Sequence, residues 1–349
     1  MADAFPVHID IDLSSKCNLR CTFCHLSYFD PPQSTQITAG QFSAALGPDL
    51  PKIKKLTLFS KYEPLTCKDF LPIFEQVCCH EIETYFSTNG VLLGPEIAGA
   101  LVGRLTFLTV SVTGFDTAAY KKHMGSDAFA RVQENLTHLN QLKRQRQTHL
   151  PQLRLSTVAM SDTLNDLPMA IDFARRFDMT EGVQVTSLIA YDEFFVSKIP
   201  ILNQEAFRNA ARSAQAYAKE RGVKLVLQSG TLEENARETL DLGHRACHIP
   251  WHRLSIQPNL DVFPCPVASV RLGNLGTRTL GAIWNGPELA AFRLGVNDPD
   301  RMNPDCRDCA HCRTKSVARI EVNDRSQSNT CYAGMTRKPA APSPREDRR

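Results

Sequence analysis

Three cysteines stand close together near the amino-terminal end of the chain, in the segment SSKCNLRCTFCHLS. Their spacing, C-x3-C-x2-C, puts Cys17, Cys21 and Cys24 on one short loop. Structural zinc usually takes four ligands as two separated pairs, so the triplet suits zinc poorly unless His25 supplies a fourth ligand. An iron–sulfur cubane held by three thiolates instead keeps one iron open for a substrate or cofactor. The triplet therefore indicates a soft-metal site and favours an iron–sulfur cluster over zinc.

A second group of cysteines lies toward the carboxyl-terminal end of the chain. It comprises Cys247, Cys265, Cys306, Cys309, Cys312 and Cys331. The first two flank the segment HRLSIQPNLDVFP, which predicts a β-hairpin that turns at Pro258 and Asn259. The next three form the compact segment CRDCAHC. We therefore expect a second cysteine-bearing region that is distinct from the first triplet.

The bulk composition is that of a globular protein. The chain has 349 residues, a net charge of +3 and 42% hydrophobic residues, which gives no reason to expect a nucleic-acid or membrane partner. The first residues, MADAFPVHIDIDL, lack the basic and apolar regions of a signal peptide, and no apolar run is long enough for a membrane span. We therefore expect a cytoplasmic protein, in which clustered thiols stay reduced and bind metal.

Strand-like and helical patterns alternate over about the first 230 residues. The predicted strands are 7–13, 55–59, 83–87, 105–112, 153–159 and 183–189. The predicted helices are 38–47, 68–79, 94–103, 127–147, 163–177 and 203–221, the last ending at Gly222. This alternation predicts an α/β fold with a parallel sheet and outer helices, either open or closed into a full or partial barrel. Because the chemistry of such folds lies beyond the carboxyl ends of the strands, the triplet after the first strand belongs to the expected site.

The alternation ends before the second cysteine group, which predicts a domain boundary. We expect a first domain over 1–235 and a smaller domain over 236–335. The smaller domain would contain the hairpin and a helix over 280–294. The final stretch, 336–349, is rich in proline and charge, so we expect it to be a disordered tail.

The segment CNLRCTFC resembles the signature of the radical S-adenosylmethionine (radical SAM) enzymes. The resemblance implies that Cys17, Cys21 and Cys24 hold a 4Fe–4S cluster whose open iron binds SAM, with Phe23 beside it. It implies reductive cleavage of SAM to a 5′-deoxyadenosyl radical that abstracts hydrogen from a substrate. It also implies a partial (β/α)6 TIM barrel with a small carboxyl-terminal β-hairpin and helix domain, and an electron donor such as flavodoxin or ferredoxin.

The loop after the second predicted strand matches the family pattern in part. Related enzymes usually carry Gly-Gly-Glu-Pro there, and this chain has Lys61 and Tyr62 in place of the glycines, followed by Glu63. Glu63 is therefore a candidate contact for SAM, while the loop loses the freedom of glycine at positive φ. Cys67 lies just beyond this loop and is a weak candidate for returning a hydrogen atom to a substrate radical; it otherwise packs as a small apolar residue.

Further candidate SAM contacts lie at the ends of the next strands. Ser87 and Asn89 belong to the segment STNG after the third strand. The segment SVTG keeps Ser111 of the Ser-x-Asp-Gly pattern of related enzymes, with Thr113 in place of the aspartate. Ser156 on the fifth strand is a weaker candidate. Hydroxyl and amide groups suit hydrogen bonds to SAM, although turn and helix-cap roles explain them equally well.

The second cysteine group resembles the auxiliary-cluster domain of radical SAM enzymes, called SPASM, or its shortened form, twitch. The chain lacks one cysteine of the full form, which favours twitch and one auxiliary 4Fe–4S cluster. Its implied ligands are Cys247, Cys265 and two of the last triplet. The preferred pair is Cys306 with Cys309, and the second choice is Cys309 with Cys312. Two auxiliary clusters, or zinc in the last triplet, stay open.

The resemblance leaves the substrate class to be inferred. Peptide-modifying relatives often carry an amino-terminal peptide-binding domain, and here the cysteine motif begins at Cys17. We therefore expect a small-molecule substrate such as a sugar, aminocyclitol or nucleoside, and an oxidation, dehydration or epimerisation in a biosynthetic pathway. A peptide-modifying maturase and a non-catalytic iron–sulfur or zinc protein are the alternatives.

Overall fold

The computed structural model describes residues 5–31, 35–59, 61–187, 204–228, 239–240, 244–307, 309 and 336–337. The strands are β1 (His8–Ile11), β2 (Phe29–Asp30), β3 (Lys55–Thr57), β4 (Glu83–Thr88), β5 (Phe107–Ser111), β6 (Gln152–Ala159), β7 (Val183–Ser187), β8 (Leu225–Gln228), β9 (Thr239–Leu240), β10 (His244–Arg245), β11 (Arg253–Ile256), β12 (Asp261–Phe263), β13 (Gly273–Asn274) and β14 (Thr336–Arg337). The helices are α1 (Ala39–Leu46), α2 (Phe70–Cys78), α3 (Pro95–Leu101), α4 (Thr117–Met124), α5 (Phe129–Gln145), α6 (Leu167–Arg176), α7 (Gln204–Arg221), α8 (Leu280–Trp284), α9 (Pro287–Gly295) and α10 (Pro304–Arg307).

One large sheet organises the chain, in the order β13-β12-β11-β1-β3-β4-β5-β6-β7-β8. The strands from β11 to β8 pair in parallel, and β12 and β13 add an antiparallel edge. Over the described residues the two edges of this sheet, β13 and β8, do not pair with each other. The predicted α/β class and partial barrel are therefore confirmed.

The two faces of the sheet differ in polarity. On the face that packs against the helices, Phe86, Leu108 and Leu155 are fully or almost fully buried. On the other face, Ser87 lies opposite Thr109 in the strand register, and Ser111 lies opposite Ser156. Residues directly opposite each other on neighbouring strands share a face. Hydroxyl side chains therefore line the lumen of the partial barrel.

Two elements of the barrel were absent from the sequence prediction. The first is helix α4, which lies before α5. The helix predicted over 127–147 corresponds to α5 alone. Asp116 caps the start of α4, since the Asp116 carboxylate accepts a hydrogen bond from the Ala119 N–H, and Gly125 ends it with φ of +67°. Strand β8 follows α7 after Gly222, which ends that helix with φ of +66°, and adds a seventh strand to the six predicted.

The predicted second domain, 236–335, shares the sheet of the barrel, and its boundaries stay a prediction. Strand β11 pairs in parallel with β1, with His8 opposite Arg253. The predicted hairpin is confirmed as β11 and β12. The predicted helix over 280–294 is two helices, because Pro287 begins a new helix directly after Gly286.

The end of the chain contributes one described element. Strand β14 pairs antiparallel with β2, so the chain is ordered at two positions of the expected tail. Positions 338–349 of that predicted tail, together with Cys312 and Cys331, lie outside the described residues. None of the described helices combines the length and the apolar character that crossing a bilayer requires.

Candidate functional site

The cysteine loop leaves the carboxyl end of β1 and is held in shape by its own hydrogen bonds. The Cys24 N–H donates to the carbonyl of Cys21 over 3.0 Å, and the Ser27 hydroxyl donates to the same carbonyl over 2.6 Å. The Tyr28 hydroxyl donates to the Thr22 carbonyl over 2.7 Å. The three thiols predicted to bind metal therefore project from one compact turn.

Helix α4 packs against this loop. The Thr22 N–H donates to the His123 carbonyl over 2.9 Å, and Sγ of Cys21 lies 3.8 Å from Sδ of Met124. A Cβ added at Gly125 would lie 2.5 Å from the Arg20 carbonyl oxygen, so the two backbones are in close contact. Glycine is needed at this position both for its positive φ and for this approach. Helix α4, missed by sequence periodicity, thus positions the cysteine loop.

The electrostatics of the triplet favour a bound metal. Burial raises the pKa of Cys21 well above its ordinary value, and the neighbouring thiolates of Cys24 and Cys17 raise it further. Burial also raises the pKa of Cys17. Because three half-buried thiolates would repel one another, they need a cationic centre to stay deprotonated together.

The donor set distinguishes a cluster from a single ion. Three thiols on one loop suit an iron–sulfur cubane, in which each thiolate binds a different iron. A structural zinc ion would instead take four ligands. The donor set therefore fits an iron–sulfur cluster better than zinc.

The loop after β3 is tied to the cysteine loop through its backbone. The Lys61 N–H donates to the Asp12 carboxylate over 2.9 Å, and the Glu63 N–H donates to the Lys16 carbonyl over 3.0 Å. Neither Lys61 nor Tyr62 has positive φ, so this loop reaches its position without the glycines of the family pattern. The sequence gave no signal for the role of Asp12. Its carboxylate accepts the Lys61 N–H and so fixes the loop backbone where related enzymes rely on flexible glycines.

The Glu63 carboxylate is buried and bridges two loops. Its Oε1 accepts from the Thr88 hydroxyl over 2.9 Å and from the Leu65 N–H over 3.2 Å, while Oε2 accepts from the Asn89 N–H over 2.8 Å. Burial raises the pKa of Glu63 to about 7, although these hydrogen bonds oppose the shift. A cation beside this carboxylate would therefore stabilise its ionised form.

Asn89 connects this bridge to the triplet. Its side-chain amide donates to Oδ1 of Asn18 over 2.8 Å and lies 3.9 Å from Sγ of Cys17. Thr113 instead turns toward β6, where its hydroxyl accepts from the Val158 N–H over 3.1 Å. Of the candidate SAM contacts, the structure thus brings Glu63 and Asn89 to the cysteine loop.

The other candidates occupy three different environments. Ser87, Ser111 and Ser156 lie on the lumen face of the sheet. Phe23 packs beside Met160 at the rim of the core. Cys67 is 4% exposed, and its thiol donates to the Ile37 carbonyl over 3.4 Å within the core. Because this thiol is packed in the core, hydrogen return by Cys67 is not part of the function proposed below.

Four cysteines of the auxiliary segment line one cavity of about 290 Å³: Cys247, Cys265, Cys306 and Cys309. They are the preferred ligand set of the sequence prediction. Burial raises the pKa of Cys265 to about 11, and the charges of Cys309 and Cys247 contribute. Asp305 fixes the segment before Cys306, because its carboxylate accepts from both the N–H and the hydroxyl of Ser269. The cavity therefore presents four thiols that would repel one another as thiolates, and a shared cationic centre would hold them deprotonated.

An ion pair joins this cavity to the barrel. Arg253 lines the cavity, and its guanidinium forms two hydrogen bonds with the fully buried carboxylate of Asp10 on β1. The two residues are neighbours only through the pairing of β1 with β11, so local sequence patterns gave no signal for this contact.

The chain matches two known family profiles and resembles several known proteins. Residues 11–151 match the family profile of the radical SAM superfamily, and residues 247–310 match an iron–sulfur cluster-binding domain, SPASM. A probable GTP 3′,8-cyclase of Methanocaldococcus jannaschii is 26% identical over 56% of this chain and 64% of its own length. An AdoMet-dependent heme synthase of Methanosarcina barkeri is 22% identical over 90% of this chain and 93% of its own length. The chain thus spans less than two thirds of the first of these relatives.

A solved structure shares the fold. Streptococcus suis SuiB bound to S-adenosylmethionine superposes with a TM-score of 0.66 and 17% identity, covering 84% of this chain and 68% of SuiB. SuiB has also been solved with its precursor peptide SuiA. The cofactors of this chain are accordingly SAM, the 4Fe–4S cluster that binds SAM, and auxiliary iron–sulfur centres. With its cysteine loop on a partial barrel and a four-cysteine cavity beyond it, the chain carries a radical SAM domain over residues 11–151 and a SPASM-type iron–sulfur domain over residues 247–310.

Proposed function

We propose that the chain is an oxidoreductase-type enzyme that uses SAM to abstract hydrogen from a small polar molecule bound in the barrel lumen. Cys17, Cys21 and Cys24 would hold the cluster, which would supply the electron for reductive cleavage of SAM to methionine and the 5′-deoxyadenosyl radical that takes a hydrogen atom from the substrate. The substrate is a sugar, aminocyclitol or nucleoside-like compound of a biosynthetic pathway. The outcome is an oxidation, a dehydration or an epimerisation.

The polar lumen is the observation that carries the substrate class. Ser87, Thr109, Ser111 and Ser156 place hydroxyl groups side by side on the lumen face, and Gln184 lies opposite Ser156 on β7. Hydroxyl and amide groups both donate and accept hydrogen bonds, which matches the hydroxyl-rich surface of a sugar or nucleoside.

The cysteines divide into two ligand sets in this proposal. Cys17, Cys21 and Cys24 hold the cluster that binds SAM, and the auxiliary cluster is held by the four cysteines that line the cavity. The auxiliary centre supplies an electron acceptor for a net oxidation. A small redox protein such as flavodoxin or ferredoxin supplies the electron that begins each turnover.

Glu63 and Asn89 position SAM. Oε2 of Glu63 accepts one hydrogen bond, from the Asn89 N–H, so it keeps capacity for a second donor such as the SAM ammonium. That ammonium would hold Glu63 ionised and lower its raised pKa. The side-chain amide of Asn89 contacts Sγ of Cys17, so it also holds this cysteine near the SAM ammonium.

Two relatives support a small-molecule substrate. One is named for heme synthesis and the other for GTP cyclisation, and neither heme nor GTP is a peptide. The similarity to the heme synthase also covers most of the length of both proteins. SuiB has been solved with a precursor peptide, SuiA, and this neighbour supports the alternative of a peptide-modifying maturase.

Substrate-dependent turnover tests the proposal. The anaerobically reconstituted protein would be incubated with SAM, reductant and either sugars, aminocyclitols and nucleosides or short peptides. We expect one of the small molecules to stimulate 5′-deoxyadenosine formation and, when deuterated at the reacting carbon, to transfer deuterium into that product. Ser156→Ala should raise the KM for this substrate, and Thr137→Ala, on an exposed face of α5, should not. Stimulation by peptides alone would instead support the maturase.

Metal and product analysis together would distinguish an enzyme from a non-catalytic metal-binding protein. We expect iron and inorganic sulfide in equal amounts, at about eight irons per chain for two cubanes. About twelve irons would indicate a second auxiliary cluster. Zinc without sulfide would contradict the proposal, as would an intact cluster that leaves SAM uncleaved.

A further inference from the structure

Cys247, the first cysteine of the auxiliary cavity, lies outside the helices and strands of the described residues. It stands between β10 and a short 3₁₀ helix, Ile249–Trp251. Its backbone is therefore not fixed by the regular hydrogen bonds of a strand or a helix. The position of its thiol depends on contacts with other parts of the chain.

The side chain of Asn297 binds both backbone groups of Cys247. The Cys247 N–H donates to Oδ1 of Asn297 over 2.8 Å, and Nδ2 of Asn297 donates to the Cys247 carbonyl over 2.9 Å. Two hydrogen bonds exchanged with one residue are the pattern of a hydrogen-bonded pair in an antiparallel sheet. Asparagine can reproduce this pattern because its amide carries both an acceptor and a donor.

Helix α9 presents Asn297 from the wall of the cavity. Val296, directly before Asn297, lines the same cavity as the four cysteines. The chain turns tightly after the helix, because the Asp298 N–H donates to the Gly295 carbonyl over 3.0 Å. The end of α9 and this turn therefore fix the direction in which the Asn297 amide extends.

A second contact joins α9 to the segment that carries Cys247. Nε of Arg293 donates to the Pro250 carbonyl over 2.9 Å, and the guanidinium lies over the Trp284 ring, 4.3 Å from its centroid. Helix α9 is thus attached to the segment 247–251 at two points. Of these two contacts, the one from Asn297 is made to a cysteine.

Resting on the auxiliary cluster of the proposed function, we propose that Asn297 is the positioning residue that holds Cys247 as a ligand of that cluster. Asn297 acts through the backbone of Cys247 and binds no iron itself. Without the two hydrogen bonds the Cys247 backbone gains conformational freedom, so its thiol no longer stays where it can bind. Asn297 thereby keeps the auxiliary centre complete as the electron acceptor of the proposed oxidation.

The experiment needs a chain in which the auxiliary cluster alone contributes iron. The full chain with Cys17→Ala, Cys21→Ala and Cys24→Ala provides this background, called the triplet-free chain below. After reconstitution it should contain about four irons, the content of one cubane. This iron content also shows that the auxiliary segment is folded.

Three variants are made in the triplet-free chain. Asn297→Leu removes the amide and keeps a side chain of similar size. Cys247→Ala is the reference for loss of the ligand itself. Asn285→Leu is the matched control, because Asn285 also follows the end of a helix, α8, and its amide donates to the Gly281 carbonyl over 3.0 Å.

The measurements are iron content and electron paramagnetic resonance after brief oxidation with ferricyanide. When ferricyanide takes one electron from a cubane that lacks one thiolate, the unheld iron leaves as Fe²⁺ and a paramagnetic 3Fe–4S cluster remains. We expect Asn297→Leu to retain about three of the four irons and to give this signal as strongly as Cys247→Ala does. Asn285→Leu should behave as the triplet-free chain does, with four irons and no such signal.

The double variant distinguishes positioning of Cys247 from a general structural role. Asn297→Leu added to Cys247→Ala should change neither the iron content nor the signal, because the ligand is already absent. A general loss of structure would lower the iron content again.

Two results would overturn the inference and leave the proposed function intact. One is Asn297→Leu with four irons and no 3Fe–4S signal. The other is loss of all iron from Asn297→Leu while Cys247→Ala retains three, since Asn297 would then act on more than Cys247. A triplet-free chain that binds no iron would overturn the auxiliary cluster of the proposed function as well.

Discussion

The backbone N–H of Asn89 donates to Oε2 of Glu63 over 2.8 Å, while the side chain of the same asparagine reaches the cysteine loop at Asn18. Three strand-end loops, after β1, β3 and β4, are thereby joined through one residue pair. The Glu63 N–H closes the connection by donating to the Lys16 carbonyl. These hydrogen bonds fix the three loops relative to one another.

Glu63 should make the stability of the cluster-free protein depend on pH. Its folded pKa of about 7 lies above its ordinary value of 4.5, so its neutral form is favoured on folding. This contribution is fully present below pH about 4.5 and is lost as the pH rises through about 7. Relative to Glu63→Gln, the wild type should lose about 2 kcal/mol of unfolding free energy between pH 5 and pH 8.

Denaturant titrations of both proteins at the two pH values measure this difference. Glu134→Gln, at an exposed position on α5, serves as the control and should follow the wild type. Parallel pH profiles for the wild type and Glu63→Gln would contradict the assignment of a buried, neutral carboxyl.

Gly125→Ala should weaken the cysteine loop. The substitution strains a residue with φ of +67° and brings Cβ to 2.5 Å from the Arg20 carbonyl oxygen. Gly222→Ala has nearly the same φ, +66°, with no atom within 4 Å of the added Cβ. The strain alone should destabilise both variants by about 1 kcal/mol, and iron loss on reconstitution should be confined to Gly125→Ala. Equal iron retention in the two variants would show that α4 does not position the loop.

Cys265→Ala should separate the two iron sites. Loss of one of the four cavity cysteines should remove about four irons per chain, the content of one cubane. Cleavage of SAM should persist, because the triplet is untouched. Cys79→Ala, at an exposed cysteine at the end of α2, should retain all iron. Loss of all iron and of SAM cleavage in Cys265→Ala would show that the sites are not separate.

Arg253→Met should destabilise the joint between the auxiliary segment and the barrel. It leaves the fully buried carboxylate of Asp10 without its cation, which we expect to cost about 3 kcal/mol of unfolding free energy. The double variant Asp10→Asn with Arg253→Met should recover part of that loss. Chemical denaturation of the single and double variants measures the coupling, and additive effects would refute it.

The sequence predicted the barrel more completely than it predicted the site. Strand–helix alternation is a local signal, and it identified six parallel strands and the order of their helices. It missed α4 because the segment TAAYKKHM has weak apolar periodicity, although Asp116 and Gly125 are the cap residues that mark such a helix.

The contacts that assemble the site are non-local, which is why the sequence did not reveal them. Asp10 and Arg253 are 243 positions apart in the sequence and meet because β1 pairs with β11. Asp12 and Lys61 are 49 positions apart and follow the paired strands β1 and β3. The cysteines were singled out from the sequence because they stand in compact groups that resemble the radical SAM and SPASM patterns, and their roles as ligands stay a prediction.

The central claim, that the triplet generates the reactive species, is tested most directly by measuring 5′-deoxyadenosine formed from SAM. The assay compares the anaerobically reconstituted wild type with Cys21→Ala and Cys79→Ala in the presence of a reductant. We predict product from the wild type and from Cys79→Ala, and none above background from Cys21→Ala. Product formation by Cys21→Ala at the wild-type rate, or none from a wild type with its iron in place, would contradict the claim.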